Sequence, residues 1–282
     1  MRKATKIWLI IATFLVFVGC IILGGAVAML KWDFTKLSTT KYETNEHEIT
    51  EDYKNVSIVT NTANVVFEIS EDEKTLVTCH EQKNLNHSVA VKEGTLVIEV
   101  EDTRKWYEHI GIHFEETKIK VRIPKGELGT ISVQTSTGNI DAERISVENI
   151  DFSVSTGRIT VSDVICKGDV KVDVSTGKTT LTNVECENVI SKGSTGNVTL
   201  KKVIGREKFS IKRSTGDIKL EGCDAAEIMI KTSTGKVTGS LLTDKVFIAK
   251  TSTGDIDVPK STSGGRCEIT TSTGDISVTV NP

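Results

Sequence analysis

The sequence predicts an all-β protein, a single-stack parallel β-solenoid (β-helix) with coils of 19–20 residues, preceded by one N-terminal transmembrane helix. Three observations carry that prediction. The tripeptide Ser-Thr-Gly occurs eight times, beginning at Ser136, Ser155, Ser175, Ser194, Ser214, Ser233, Ser252 and Ser272, always 19 or 20 residues apart. A fixed period of this size marks a fold in which each repeat stacks on its neighbour. Apolar residues on both sides of the tripeptide stand two residues apart, the period of a strand with one buried face. After Thr130 no stretch carries a helical period.

The apolar N-terminal segment comes first. Ile7 to Leu30 is a run of 24 residues without a charge. As a helix rising 1.5 Å per residue it covers about 36 Å, enough to cross a hydrocarbon core of about 30 Å. Arg2, Lys3 and Lys6 precede it, and Trp8 and Trp32 mark its two ends. Positive charge on the inner side and aromatics at the interfaces place residues 1–6 in the cytoplasm and residues 7–30 in the membrane as a signal anchor. A cleaved signal peptide is the alternative, because Ala26-Val27-Ala28 resembles a cleavage site. The run is too long for an ordinary signal core, which favours retention. A lipoprotein site at Cys20 is weaker, since apolar sequence continues well beyond it. So short an inner tail leaves no room for a kinase or DNA-binding module, so the expectation is action outside the membrane or within it.

Residues 31–52 are polar and read as a juxtamembrane stalk. The solenoid is expected over 53–282, with 53–128 as irregular capping coils and 129–282 as regular repeats. In the cap, Val56 and Ile58, then Val65, Phe67 and Ile69, alternate with polar residues, and Asn61 to Asn64 takes the place of a corner. Val89, Val91, Leu96, Ile98 and Val100 read as a hairpin through Glu93-Gly94. Ile119, Val121 and Ile123 lead through Pro124 into the first repeat. Such an end keeps the first coil from exposing its strand edges and core. The segment Arg104 to Glu116 stands apart. Trp106, Tyr107 and Phe114 form a secondary candidate site for a sugar face or a partner, and His109 and His113 are placed to share a metal on one strand face. With no third ligand in view, no metal site and no cofactor are expected, and a loop folded over the cap is the plainer account.

Within the repeats, Ile131, Ile150, Val170, Val189, Phe209, Ile228, Phe247 and Cys267 stand five residues before each Ser. Val133, Phe152, Val172, Ser191, Ile211, Ile230, Ala249 and Ile269 stand three before it. Ile140, Ile159, Thr179, Val198, Ile218, Val237, Ile256 and Ile276 follow four after it, and a further mostly apolar column follows two later. Each coil is therefore strand, Ser-Thr-Gly corner, strand, and a short second turn that often adds one apolar residue (Val164, Val184, Val203, Cys223). A corner needs a residue at positive φ, which Gly supplies without steric cost. The Ser and Thr hydroxyls are expected to bond backbone groups left unpaired at the corner, as turn chemistry and not as nucleophiles. The residue after Gly is basic in three coils (Arg158, Lys178, Lys236), which argues against stacked calcium sites.

The formal charge is −3, and −6 once the three basic residues before the anchor are set aside, with 32 basic against 38 acidic. That balance argues against nucleic acid as a partner. Five cysteines lie beyond the anchor, and Cys166, Cys186, Cys223 and Cys267 fall at or beside inward columns. Cys166 and Cys186 occupy equivalent places in successive coils, so a disulfide is one reading. Cysteine as a small buried hydrophobe is the other and the simpler.

The candidate ligand-binding site lies on an outward column two residues before the Ser, where Lys192, Lys212, Lys231 and Lys250 occupy four consecutive coils. At a strand spacing of about 4.8 Å such a ladder repels itself. Ile190, Met229 and Ile248 lie two residues earlier on a nominally outward column. A basic stripe beside an apolar one suits an anionic amphiphile or polymer, wall-polymer phosphates or lipid headgroups. A solvated face whose lysines oppose aggregation is the alternative. No Ser/His/Asp, Cys/His or metal-ligand spacing stands out, and short loops leave nowhere to enclose a substrate, so the protein is not expected to be an enzyme.

The eight Ser-Thr-Gly-(Asn/Asp/Lys/Arg)-(Ile/Val) steps, with Thr179 the departure at the last place, resemble the bacterial putative adhesin family of β-strand-repeat proteins. The Val56 to Val65 opening and Val121-Arg122-Ile123-Pro124 add to the resemblance, which covers about residues 50–280. Members are similar to membrane-anchored envelope-stress proteins of Gram-positive bacteria. The resemblance implies a cell-surface role and supplies no catalytic residues. Two functions follow as expectations: a binding module at the envelope, or a scaffold or regulatory partner of another membrane protein. An uncapped C-terminal coil, Ile276 to Val280, favours the second by offering an edge to another strand.

Overall fold

The computed structural model describes residues 3–29, 41–104 and 115–281. The chain divides into two compact units, residues 1–42 with 104–115 and residues 43–103 with 116–282. The first contains helix Lys3–Met29, and its stretch Thr5–Met29 is long and apolar enough to cross a membrane. The second is a parallel β-solenoid.

Coils are numbered here by their Ser-Thr-Gly corner. The strands before the corner stack in direct register from coil 1 to coil 6, through Ile131, Ile150, Val170, Val189, Phe209 and Ile228. The strands after the corner do the same through Ile140, Ile159, Thr179, Val198, Ile218 and Val237. The inward columns form one continuous apolar core, closed on itself by pairs such as Phe67 and Phe152, whose rings stack with centroids 6.2 Å apart. Val164, Val184, Val203 and Cys223, behind the second turn, are buried as expected. Arg144, Asp163, Asn183 and Lys202 hold that turn at φ between 51° and 57°.

Sequential stacking ends at coil 6. Ile228 pairs with Cys267, and Cys267 pairs with Phe247. On the other face Val237 pairs with Ile276, and Ile276 with Ile256. Coil 8 therefore lies between coils 6 and 7, and the open end of the solenoid is coil 7. This corrects the expectation that Ile276 to Val280 forms the exposed edge. It also explains why the inward residues Phe247, Ala249 and Val258 are only partly buried and Ile256 is 46% exposed: no strand among the described residues covers their outer side.

The same inversion occurs at the opposite end. Val56 pairs with both Ile131 and Leu96, and Val65 with both Ile140 and Ile119. Strands Thr95–Asp102 and Lys118–Ile123 thus lie outside the opening coil, not between it and the first repeat. Two antiparallel strands then cover this edge. Leu76 to His80 pairs along Arg122 to Lys118, and Leu85–Lys92 forms the expected hairpin with Thr95–Asp102, with Val91 opposite Leu96. Glu93 and Gly94 turn that hairpin with φ 49° and 71°, the pair of positive values a two-residue type I′ turn needs. Strand Tyr42–Ile49 pairs with Thr75–Gln82, so residues 43–49 belong to the cap and not to a stalk.

The corners are held differently from the expectation. All eight tripeptide glycines have φ between 128° and 154°. They stack so tightly that a Cβ at Gly177 would lie inside the carbonyl oxygen of Gly157. All of these Gly N–H groups except that of Gly254, in the open coil 7, donate to the Thr carbonyl of the adjacent coil, as from Gly157 to Thr176 at 3.0 Å. The Ser and Thr side chains of the tripeptides are exposed and make no hydrogen bond among the described residues. Where the residue just before the Ser is threonine (Thr135, Thr232, Thr251 and Thr271), its hydroxyl serves the corner carbonyls instead. Thr251 Oγ1 donates to Gly274 O at 3.0 Å and Thr271 Oγ1 to Gly235 O at 3.2 Å. After the Gly, the Asn or Asp side chain bridges coils: Asp217 Oδ1 accepts from Lys236 N–H at 2.8 Å.

One charge interrupts the core. Arg213, 2% exposed, takes the inward place that Thr135, Thr232 and Thr271 hold in other coils. Its guanidinium donates to Thr179 Oγ1 at 2.9 Å and Ser191 Oγ at 3.2 Å. Thr179 and Ser191 are the two buried hydroxyl departures from the apolar columns. A Cβ at Gly193 would collide with Arg213, so the missing side chain there makes the room.

Candidate functional site

The lysine column faces outward on the strands before the corners, and Lys192, Lys212, Lys231 and Lys250 are all exposed. Lys192 is in register with Lys212, and Lys212 with Lys231. Lys231 then pairs with Thr270, and Thr270 with Lys250. Three lysines therefore form an unbroken ladder and the fourth is set off by one coil, because coil 8 intervenes. Asp173 borders the ladder at its other end.

None of these four lysines makes an ion pair among the described residues. Elsewhere on the solenoid pairing is common: Lys167 with Glu127 at 2.6 Å, Lys208 with Glu227 at 3.0 Å, Lys219 with Glu221 at 2.5 Å and Lys236 with Asp275 at 2.8 Å. The ladder is thus a local excess of positive charge on a mildly acidic chain.

The apolar column beside it is discontinuous. Ile190 pairs with Ser210, Ser210 with Met229, Met229 with Glu268, and Glu268 with Ile248. Met229 and Ile248 are 37% and 36% exposed. What results is a set of separate apolar steps between polar ones. A shallow depression of about 200 Å³ sits where the two columns begin, lined by Asp151, Lys171, Asp173, Ile190 and Lys192. The secondary candidates Trp106, Tyr107, His109, His113 and Phe114 lie outside the described residues.

Sequence reasoning missed one constellation. Cys79 and Glu81 on strand Thr75–Gln82 and His87 on strand Leu85–Lys92 all face inward. His87 Nδ1 lies 2.6 Å from Glu81 Oε2, which also accepts the His87 backbone N–H at 2.8 Å. His87 Nε2 lies 2.8 Å from Thr60 Oγ1, and Asn45 Nδ2 donates to Glu81 Oε1 at 2.8 Å. The signal was parity: residues 77, 79, 81 and 85, 87 share the inward face, and three of those five carry chemistry. An acid, an imidazole and a hydroxyl in line resemble a proton relay, but Thr60, Glu81 and His87 are 4%, 0% and 5% exposed, and no substrate reaches them in this arrangement.

All six cysteines are free thiols, and Cys79, Cys166, Cys186, Cys223 and Cys267 are buried. Burial pushes the Cys166 thiol up to about 11 and those of Cys186 and Cys267 up to about 12. They behave as small core residues.

A stacked parallel solenoid whose accessible features are faces and edges defines a class of β-repeat protein. The chain belongs to the family described as Toastrack DUF4097, whose model matches it twice, over residues 53–168 and 165–282. Solved structures it is similar to include a putative lipid binding protein from Parabacteroides distasonis, 17% identical, covering 87% of this chain and 98% of that one with a TM-score of 0.48. A putative adhesin from the same organism is 16% identical over 86% of this chain and 98% of the other, with a TM-score of 0.42. A putative adhesin from Bacteroides fragilis is 15% identical over 86% and 97%, with a TM-score of 0.39. No curated protein matches this chain.

Proposed function

We propose that this protein is a non-catalytic binding module of the cell envelope, anchored by its N-terminal helix with the solenoid outside the cell, and that the lysine ladder takes phosphate-bearing polyanions. The observation that carries this is the register of Lys192, Lys212 and Lys231, like charges on adjacent strands that make no ion pair among the described residues, with Asp173 bordering only the Lys192 end. Strands lie about 4.8 Å apart, and like charges directly opposite one another destabilise a sheet. A repeating anion laid along the stack would relieve that repulsion at each coil. Ile190, Met229 and Ile248 add apolar steps beside it, which suits a headgroup with an attached chain.

The test is binding of the full chain in detergent micelles to teichoic acid and, separately, to phosphatidylglycerol vesicles, beside a Lys192/Lys212/Lys231→Gln variant. Loss of both interactions in the variant supports a phosphate-reading face. Loss of one alone identifies the source. Equal binding by variant and wild type overturns the reading.

The second reading, a scaffold for another membrane protein, is favoured by coil 7. Strand Lys245–Lys250 is paired on one side only among the described residues, and Val246, Ile248 and Ile256 are exposed there. An open edge of this kind accepts a strand from a partner. Cross-linking from Val246→Cys to a membrane protein, unaffected by the lysine substitutions, would select it.

A further inference from the structure

We propose that Cys79, Glu81 and His87 form a buried site for one divalent transition-metal ion of the zinc class, inside the cap. The thiol sulfur, a carboxylate oxygen and a ring nitrogen all lie within 4.8 Å of one another, and all three residues are buried. One thiolate, one imidazole and one carboxylate make a borderline donor set that suits Zn²⁺, with a fourth position left for water. Bond lengths of 2.0–2.3 Å in a tetrahedron place ligand atoms about 3.3–3.6 Å apart. The trio reaches that spacing by side-chain rotation: Glu81 Oε2 and His87 Nδ1 separate slightly from 2.6 Å, and the sulfur moves in.

The surroundings are those of a ligand set and not of an ordinary core. Neighbouring inward positions are apolar: Val77, Leu96, Ile98, Ile119 and Val121 are fully buried. An acid and an imidazole placed among them carry a desolvation penalty that an apolar pair would avoid. Both are also held from behind. Asn45 Nδ2 fixes the outer oxygen of Glu81, and Thr60 Oγ1 fixes Nε2 of His87, the outer-shell arrangement that orients metal ligands. Cys79 Sγ, like Cys267 Sγ, makes no hydrogen bond among the described residues, whereas Cys166, Cys186 and Cys223 each have a backbone carbonyl partner; of the two, only Cys79 stands beside an acid and an imidazole.

The proton balance closes within these residues. Before binding, Nδ1–H donates to Glu81 Oε2 and Nε2 accepts from the Thr60 hydroxyl. On binding, the metal takes Nδ1, the ring proton resides on Nε2, and Thr60 Oγ1, able to donate or accept, becomes its acceptor. The Cys79 thiol proton leaves to solvent as the thiolate bonds the metal. Entry requires strand Tyr42–Ile49, at the margin of the cap, to release Asn45 from Glu81, so loading is expected to be slow.

The experiment is titration of the full chain in detergent micelles with Zn²⁺ and with Co²⁺, beside Cys79→Val, which keeps the Glu81–His87 pair and adds no polar group. Thr60→Val and Cys267→Val serve as a tuning variant and a control. The expected result is one equivalent bound with a Kd below about 1 μM, a thiolate-to-Co²⁺ charge-transfer band, and at least 100-fold weaker binding with no such band in Cys79→Val. Thr60→Val should bind about 10-fold more weakly, and Cys267→Val should match wild type. Zinc at 100 times Kd should raise the melting temperature of wild type by about 5–10 °C and leave Cys79→Val unmoved. A Co²⁺ complex lacking the thiolate band, or equal affinity in wild type and Cys79→Val, overturns the site and assigns binding to surface histidines.

Discussion

Arg213 and Thr179 meet 2.9 Å apart inside the solenoid, a guanidinium on a threonine hydroxyl where the regular repeat would set Thr against Ile or Val. Burial lowers the Arg213 pKa, and Asp173, on the outward face two coils away in sequence, partly opposes this. No carboxylate lies within ion-pair distance among the described residues. The departures at Thr179, Ser191, Gly193 and Arg213 are therefore one feature: two hydroxyls accept from the charge and one absent side chain accommodates it.

Removing the charge alone leaves two buried hydroxyls and a cavity. Arg213→Ala should destabilise the protein by about 2–4 kcal/mol. Restoring the repeat pattern with Arg213→Thr, Thr179→Ile and Ser191→Val together should return stability to within about 1 kcal/mol of wild type or above it, since apolar replacement of buried ionic groups is often neutral or better. Urea unfolding of the three-residue variant decides it, and a loss as large as that of Arg213→Ala would refute the coupling.

How much of this was legible in the sequence divides along a physical line. Columns, corners, the hairpin at Glu93-Gly94 and the buried second-turn residues follow from periodicity and turn chemistry, which are local. The position of coil 8 was not legible, because coil 7 and coil 8 carry equivalent patterns (Phe247 and Ala249 against Cys267 and Ile269) and either would pair with Ile228. Strand Tyr42–Ile49 was missed because its sequence, Tyr-Glu-Thr-Asn-Glu-His-Glu-Ile, alternates among polar residues and lacks an apolar face. The Cys79, Glu81 and His87 cluster required knowing that two antiparallel strands fold their inner faces together.

The spatial order 6–8–7 makes a prediction about local stability. Amides of Gly265–Thr270 and Ile276–Val280 lie in strands flanked on both sides, whereas Lys245–Lys250 has one neighbour. Hydrogen exchange should be slower in the C-terminal strands than in Lys245–Lys250, although chain ends ordinarily exchange first. Faster exchange in Gly265–Thr270 would contradict the stacking.

The glycine ladder predicts a sharp positional contrast. Gly177→Ala meets both a strained φ of 142° and the Gly157 carbonyl, and should cost about 3 kcal/mol or more. Gly222 has φ 59° and open space around its Cα, so Gly222→Asn should stay within about 1 kcal/mol. Thermal melts of the two variants compare them directly.

The buried thiols set an alkaline limit. The ordinary value of 9.0 rises to about 11 at Cys166 and to about 12 at Cys186 and Cys267. A raised folded-state pKa means the unfolded chain releases these protons first, so the stabilisation is fully present below about pH 9 and declines as pH climbs from there toward 12. Stability measured against pH should fall through that window, and Cys186→Val should flatten the fall. The same thiols should react with a disulfide reagent only after unfolding.

The most direct test of the account is the salt dependence of teichoic-acid binding by the full chain and by the Lys192/Lys212/Lys231→Gln and Lys250→Gln variants. Each lysine that displaces a counterion adds a share to the slope of log Kd against log salt. The ladder predicts that the triple variant loses about two to three units of slope together with most of its affinity, and that Lys250→Gln, isolated behind Thr270, changes both far less. Equal slopes for wild type and the triple variant would contradict it and move the search for a partner to the open edge of coil 7.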